Sequence, residues 1–194
     1  MHKDLENKVA IITGASRGLG QEYAVKLAQA GAKVIAADIT DCNKTTQIIK
    51  ETGGICISVQ LDVRNQSSCD AMAQMTLDKF GRIDILVNNA ALYGSLKGGR
   101  FDALAEQDWN DCLDVNISGI WRCCRAVIGS MKAQQSGSII NISSLAALAG
   151  LPYALHYSTS KAAVIGLTRA LARELGRYWI RVNSIGPTAV ATEG

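Results

Sequence analysis

The sequence has no uninterrupted apolar run of the roughly 18 residues a membrane span requires, and its first residues, MHKDLEN, are charged where a secretory signal would be greasy. A cytoplasmic protein with no membrane partner is expected. Basic runs are missing as well: the 20 Lys and Arg are scattered and the formal net charge is only +3, which leaves no footprint for a nucleic acid. The six cysteines, Cys42, Cys56, Cys69, Cys112, Cys123 and Cys124, form no CxxC pair and have no histidine cluster beside them. Neither a disulfide framework nor a metal site is expected, and reduced, buried thiols are the reading. Internal repeats and low-complexity linkers are also absent.

What is present is ordinary globular material, 48% apolar and 19% charged over 194 residues, enough for one domain, residues 1–194, with a real core. Apolar runs of strand length fall at 8–13, 33–38, 55–61, 83–88, 138–143 and 180–185. Four of these six are rich in Val and Ile without strict alternation, as parallel strands covered on both faces are. Amphipathic stretches between them predict helices over about 18–30, 43–52, 66–80, 106–133 and 157–175, with Gly31, Gly53, Gly81 and Gly176 as C-terminal stops. This βα alternation predicts an open, doubly wound parallel β-sheet of Rossmann type with helices on both faces, whose ligands bind at the carboxyl ends of the strands. Trp109, Trp121 and Trp179 are expected to pack helices and strand ends, His2 to lie in a mobile terminus, and His156 to be a half-exposed residue at a helix start.

After the first strand the chain reads TGASRGLGQEYAVKLAQAG. Gly14, Gly18 and Gly20 stand between strand and helix, where missing β-carbons allow a tight turn and let backbone N–H groups meet a pyrophosphate. The pattern is GxxxGxG, without the Gly-Lys-Ser/Thr of a P-loop. Asp38 closes the second strand 18 residues after Gly20, near the ~20 expected of a carboxylate that bonds an adenosine ribose. Its charge favours NAD over NADP, while Arg17 in the glycine turn would attract a 2′-phosphate and pulls the other way.

Tyr157 and Lys161 stand four residues apart at the start of an otherwise greasy helix, so they share one face. A nearby ammonium favours the phenolate, and the helix N-terminus adds to that effect, so Lys161 is expected to lower the Tyr157 pKa from its ordinary ~10 and fit it for proton exchange with an alcohol or carbonyl oxygen.

Together, Thr13 to Gly20, NNAA at 88–91, and Tyr157 with Lys161 resemble the short-chain dehydrogenase/reductase family, in its order and spacing and across essentially the whole chain. The resemblance implies a nicotinamide cofactor, NAD with NADP possible, and a small-molecule secondary alcohol or ketone as substrate. It implies Tyr157 as general acid/base, Lys161 stabilising the phenolate and gripping the nicotinamide ribose, and Ser144, 13 residues before Tyr157, holding the substrate oxygen in preference to Ser143. It implies that Asn116 holds a water linking Lys161 to solvent; a helix-interior Asn amid Val115, Ile117 and Ile120 is unfavourable by propensity, and an amide bonded only to neighbouring backbone is the alternative.

Cofactor contacts are implied at Gly14, Ser16, Arg17, Gly18, Leu19, Gly20, Asp38 and Ile39, at Asp62 and Val63 for the adenine, and at Asn88, Asn89, Ala90 and Ala91 along the ribose. Pro187, Val190 and Thr192 would reach the nicotinamide carboxamide. Ala91 and Thr188 stand where the family has glycine. Relative to the family, the last strand and helix are missing, so the 194-residue form is read as a domain lacking the family's C-terminal segment, with a homodimer or homotetramer implied for the complete form. Two rival readings remain: an NADP(H)-dependent 3-oxoacyl reductase, and a shortened, non-catalytic nucleotide-binding protein. Leu92, Tyr93, Leu145, Leu148, Leu151 and Tyr153 suggest an apolar wall near the reacting carbon.

Overall fold

The structure, a computed structural model, describes residues 4–94 and 96–192; His2 lies outside them. Six parallel strands form one sheet in the order β3-β2-β1-β4-β5-β6: β1 (Val9–Thr13), β2 (Lys33–Asp38), β3 (Cys56–Gln60), β4 (Ile85–Asn88), β5 (Gly137–Ile142) and β6 (Ile180–Ile185). Register explains the unbroken apolar runs. Ile11 lies beside Ile35 and Leu86, and Leu86 beside Ile139, giving an aliphatic row on one face. The alternate residues Ala10, Ile12, Val34, Ala36, Ile85 and Val87 pack on the other face. Both rows are buried, so the inner strands show no polar alternation; β3 and β6, at the edges, do expose side chains.

Helices α1 (Gly18–Gln29) and α2 (Asn43–Glu51) cover one face. The other is covered by α3 (Gln66–Phe80), α4 (Glu106–Leu113), α5 (Gly119–Gln134) and α7 (Leu155–Leu175). A short helix, α6 (Ala146–Ala149), which the sequence did not suggest, precedes α7. The single helix expected over 106–133 is interrupted by a π turn at Asp114–Ser118, where the Gly119 N–H reaches the Asp114 carbonyl five residues back. Gly31, Gly53 and Gly81 take the left-handed conformation at their helix ends. Gly176 does not: its φ is −55°, the chain continues through a 3₁₀ turn, and Trp179 adopts φ 59° instead. Of the tryptophans expected to pack helices and strand ends, Trp179 is 78% exposed and Trp121 49%. All six cysteines are free and buried, and among the described residues no helix is long and apolar enough to cross a membrane.

Candidate active site

Each strand ends in a loop on the same edge of the sheet, and those loops enclose a cleft of about 1330 Å³. That is room for a dinucleotide with a small substrate beside it. Every catalytic and cofactor residue named from the sequence lines this cleft except Asn116, which lies behind its wall, and Asn88; of the expected apolar wall, Leu148 and Tyr153 do not line it. Asn88 is a correction. It is 2% exposed, its amide donates to Asn141 Oδ1 at 2.8 Å, and it sits among the strands rather than along a ribose. The last residue of a strand and the first of its loop point to different faces, so only Asn89 of that pair reaches the cleft.

The glycine turn is braced from β4. Asn89 Nδ2 donates to the carbonyls of Thr13 and Gly14, both at 3.0 Å, and Thr13 Oγ1 accepts from the N–H groups of Asn89 and Ala90. A β-carbon on Gly14, whose φ is +67°, would lie 2.8 Å from the Ala90 Cα, and one on Gly20 would strike the Gly14 carbonyl. Arg17, the N-cap of α1, is extended and makes no side-chain cap, and no acidic residue occupies the first turn, so the helix presents uncapped N–H groups to the cleft. These features fit an anionic pyrophosphate. Asp38 ties β2 to the glycine turn: Oδ2 accepts from Ser16 N–H at 3.0 Å and Oδ1 from Thr40. Arg17 is exposed beside it.

On the β3 side, the Arg64 guanidinium forks onto both Asp62 oxygens, at 2.7 to 3.2 Å, and holds that carboxyl below the usual range. Val63 packs on Gly119 so closely that a β-carbon there would meet Val63 Cγ2 at 2.8 Å. Arg64, Asp108 and Asp111 also line this wall, and nothing in their spacing marked them beforehand. Across the cleft, Leu145 N–H donates to the Pro187 carbonyl at 3.0 Å, which joins the loop after β5 to the segment 187–192 that carries Val190 and Thr192.

Tyr157 meets Ser144 through their hydroxyls, and Ser144 Oγ also accepts from Ala146 N–H. Ser143, by contrast, is buried and spends its hydroxyl on the Lys161 carbonyl at 2.7 Å. Lys161 is 3% exposed; its Nζ donates to the Ile142 carbonyl at 2.8 Å and lies 5.7 Å from the Tyr157 ring centroid. Burial pushes the ammonium down to about 8. The expected acidification of Tyr157 is reversed: burial pushes the phenol above its ordinary value, the Ser144 hydroxyl only partly offsets this, and Tyr93 and Cys112 raise it further. Desolvation therefore outweighs an ammonium that sits to one side and is engaged with a carbonyl.

Asn116, completely buried in the π turn, accepts from Leu92 N–H at 2.8 Å, and its Nδ2 donates to Ser160 Oγ at 3.0 Å and the Leu92 carbonyl at 3.2 Å. Its amide thus clamps the loop after β4 to α7 through more than neighbouring backbone. Ser160, which the sequence reading passed over, completes the clamp by donating to the Tyr157 carbonyl at 2.7 Å. His156 is a further correction: it is fully buried, and neither ring nitrogen has a hydrogen-bond partner.

Compared with known proteins, residues 8–194 match the family described as short chain dehydrogenase. A 3-oxoacyl-(acyl-carrier-protein) reductase of Synechocystis sp. is 40% identical over 97% of this chain and 76% of its own length. A (2S)-((R)-hydroxy(phenyl)methyl)succinyl-CoA dehydrogenase subunit of Thauera aromatica is 41% identical over 97% of this chain and 75% of its own. Among solved structures, levodione reductase superposes with a TM-score of 0.93 at 31% identity, covering 97% of this chain and 74% of that one.

Proposed function

The chain belongs to the short-chain dehydrogenase family of oxidoreductases, and from that premise we propose a single catalytic domain that transfers a hydride between NAD(H) and a secondary alcohol or its ketone. When bound, the nicotinamide supplies the hydride acceptor or donor. Gly14, Ser16, Arg17, Gly18, Leu19 and Gly20 would hold the pyrophosphate, and Asp38 with Ile39 the adenosine ribose. Asp62 and Val63 would hold the adenine, Asn89, Ala90 and Ala91 the second ribose, and Pro187, Val190 and Thr192 the carboxamide.

Tyr157, whose pKa is raised by burial, stands protonated at neutral pH and delivers its proton to a carbonyl oxygen in the reductive direction. In the oxidative direction it must first give that proton up to solvent, and the phenolate so formed takes the hydroxyl proton. Ser144 donates to the same substrate oxygen and supports its developing charge. Lys161, charged below about pH 8, stabilises the phenolate and holds the ribose. Asn116 is a positioning residue, because its amide donors are engaged with Leu92 and Ser160.

The observation that carries this reading is that Ser144, Tyr157 and Lys161 together line the cleft that begins at the glycine turn, with the Lys161 ammonium 5.7 Å from the phenol ring. Titration of NADH fluorescence with and without excess NADPH tests the cofactor; equal affinity for both removes the preference assigned to Asp38. Turnover of a panel of secondary alcohols tests the chemistry, with Tyr157→Phe expected to lower kcat by roughly 10²–10⁴-fold at unchanged NADH affinity. Cofactor binding without turnover would instead leave a nucleotide-binding protein. A second reading, an NADP(H)-dependent 3-oxoacyl reductase, draws on exposed Arg17 at the glycine turn and on the activity named for the Synechocystis relative. Tighter NADPH binding with turnover of an acetoacetyl thioester would favour it.

A further inference from the structure

Beyond Tyr157 the cleft changes character. The Tyr93 ring lies 4.8 Å from the Tyr157 ring, centroid to centroid and tilted by 46°, yet Tyr93 remains 58% exposed. Leu145 (47% exposed) and Leu151 (42%) line the same cleft. The segment from Leu145 to Leu155 also exposes Leu148 and Tyr153, a density of bare apolar side chains that normally marks a binding surface.

The backbone holds that segment in place at some expense. Tyr153 adopts φ 64°, a left-handed conformation unusual for a side chain of its size, and its carbonyl accepts from Gly99 N–H at 2.8 Å. This bond ties the segment to the loop that carries Tyr93. Leu151 N–H is fixed by Ser158 Oγ at 2.9 Å, one residue past Tyr157.

Charge completes the picture. Of the cationic side chains lining the cleft, Arg17 belongs to the glycine turn, Arg64 is paired with Asp62, and Lys161 is buried against Ile142. A substrate carboxylate next to the reacting carbon would therefore find no exposed, unpaired cation beside Tyr157 among the side chains that line the cleft.

Resting on the dehydrogenase reading above, we infer that the site takes secondary alcohols and ketones whose reacting carbon bears uncharged, bulky substituents, at least one of them aromatic, and that Tyr93 sets this preference by packing its exposed ring face on that substituent. Packing of an aromatic pair is worth up to about tenfold in affinity beyond the area it buries.

The test is binding, read apart from turnover. Ligand-observed saturation-transfer NMR would compare 1-phenylethanol with 3-hydroxybutyrate on the 194-residue chain, with and without NAD, for wild type, Tyr93→Ala and Tyr93→Phe. Wild type should bind 1-phenylethanol at least about tenfold more tightly than 3-hydroxybutyrate, Tyr93→Ala should lose most of that margin, and Tyr93→Phe, which keeps the ring, should restore it. Equal binding of the two alcohols, no binding of either, or an unchanged margin in Tyr93→Ala overturns the inference. The expected binding pattern without any turnover would instead count against the dehydrogenase reading and leave the assignment of the apolar wall standing.

Discussion

Lys161 brings an ammonium into a place that is 3% exposed and offers it one carbonyl, so its folded-state pKa falls to about 8, below the ordinary lysine value. Between about pH 8 and the unfolded value near 10.4 the unfolded chain binds more protons than the native one, so this group makes stability rise with pH across that window. Lys161→Met should remove the rise. Thermal melts of the cofactor-free proteins should show wild type gaining on the variant from pH 8 to 10; parallel curves would mean that Lys161 is better solvated than its surroundings indicate. The four-residue spacing made Tyr157 and Lys161 legible as a pair. The direction of the Tyr157 shift was not legible, because it is set by burial of the phenol, to which Tyr93 and Cys112 add from distant parts of the chain. His156 and Asn88 failed for a related reason: polar residue types suggest exposure, and only packing reveals them as buried.

At the scale of elements, the cleft wall depends on how α5 docks. Gly119 opens α5 directly after the π turn, and Val63 fills the space a β-carbon would need. Arg122, one turn on, donates to the Val63 carbonyl at 3.2 Å and to Asp114 at 2.7 Å, fixing the loop after β3 against the same helix. Gly119→Ala should therefore shift Val63, with overpacking that destabilises by roughly 1–3 kcal/mol. NADH affinity should weaken along with stability, and a variant that melts early but binds NADH normally would detach Val63 from the adenine. Helix periodicity placed an element over 106–133 but not the π turn inside it, since a π turn is a local switch of hydrogen-bond partner from four to five residues back that no residue type specifies. Its one sequence trace was Asn116, a poor helix former in an apolar run, and the fold uses it as the clamp on Leu92 and Ser160.

For the molecule as a whole, the two edges of the sheet have different duties. The carboxyl edge leaves a cleft open, and the opposite edge closes around Asp84, which lies just before β4. Its Oδ2 accepts from Val9 N–H at 2.9 Å and Arg82 Nε at 2.8 Å, its Oδ1 from Arg82 Nη2 at 2.6 Å, and Lys8 approaches at 3.5 Å. The Asp84 backbone bonds to both neighbours as well, its N–H donating to the Val9 carbonyl and its carbonyl accepting from Ser138 N–H, both at 2.9 Å, and β4 runs from Ile85 rather than from the expected 83. Burial alone would push this carboxyl up; the Arg82 fork, the Val9 N–H and Lys8 together more than offset it, and the group titrates below its ordinary value. Asp84 thus contributes stability that is complete above about pH 4 and is lost as pH falls through its lowered folded pKa. Asp84→Asn should cost roughly 2 kcal/mol at pH 7, with the gap to wild type closing as the medium is acidified. NADH affinity should not change, because none of these groups lines the cleft. Denaturant melts at pH 7 and pH 3 beside an NADH titration would measure both, and a variant that melts normally but binds NADH poorly would show that the two edges are mechanically coupled.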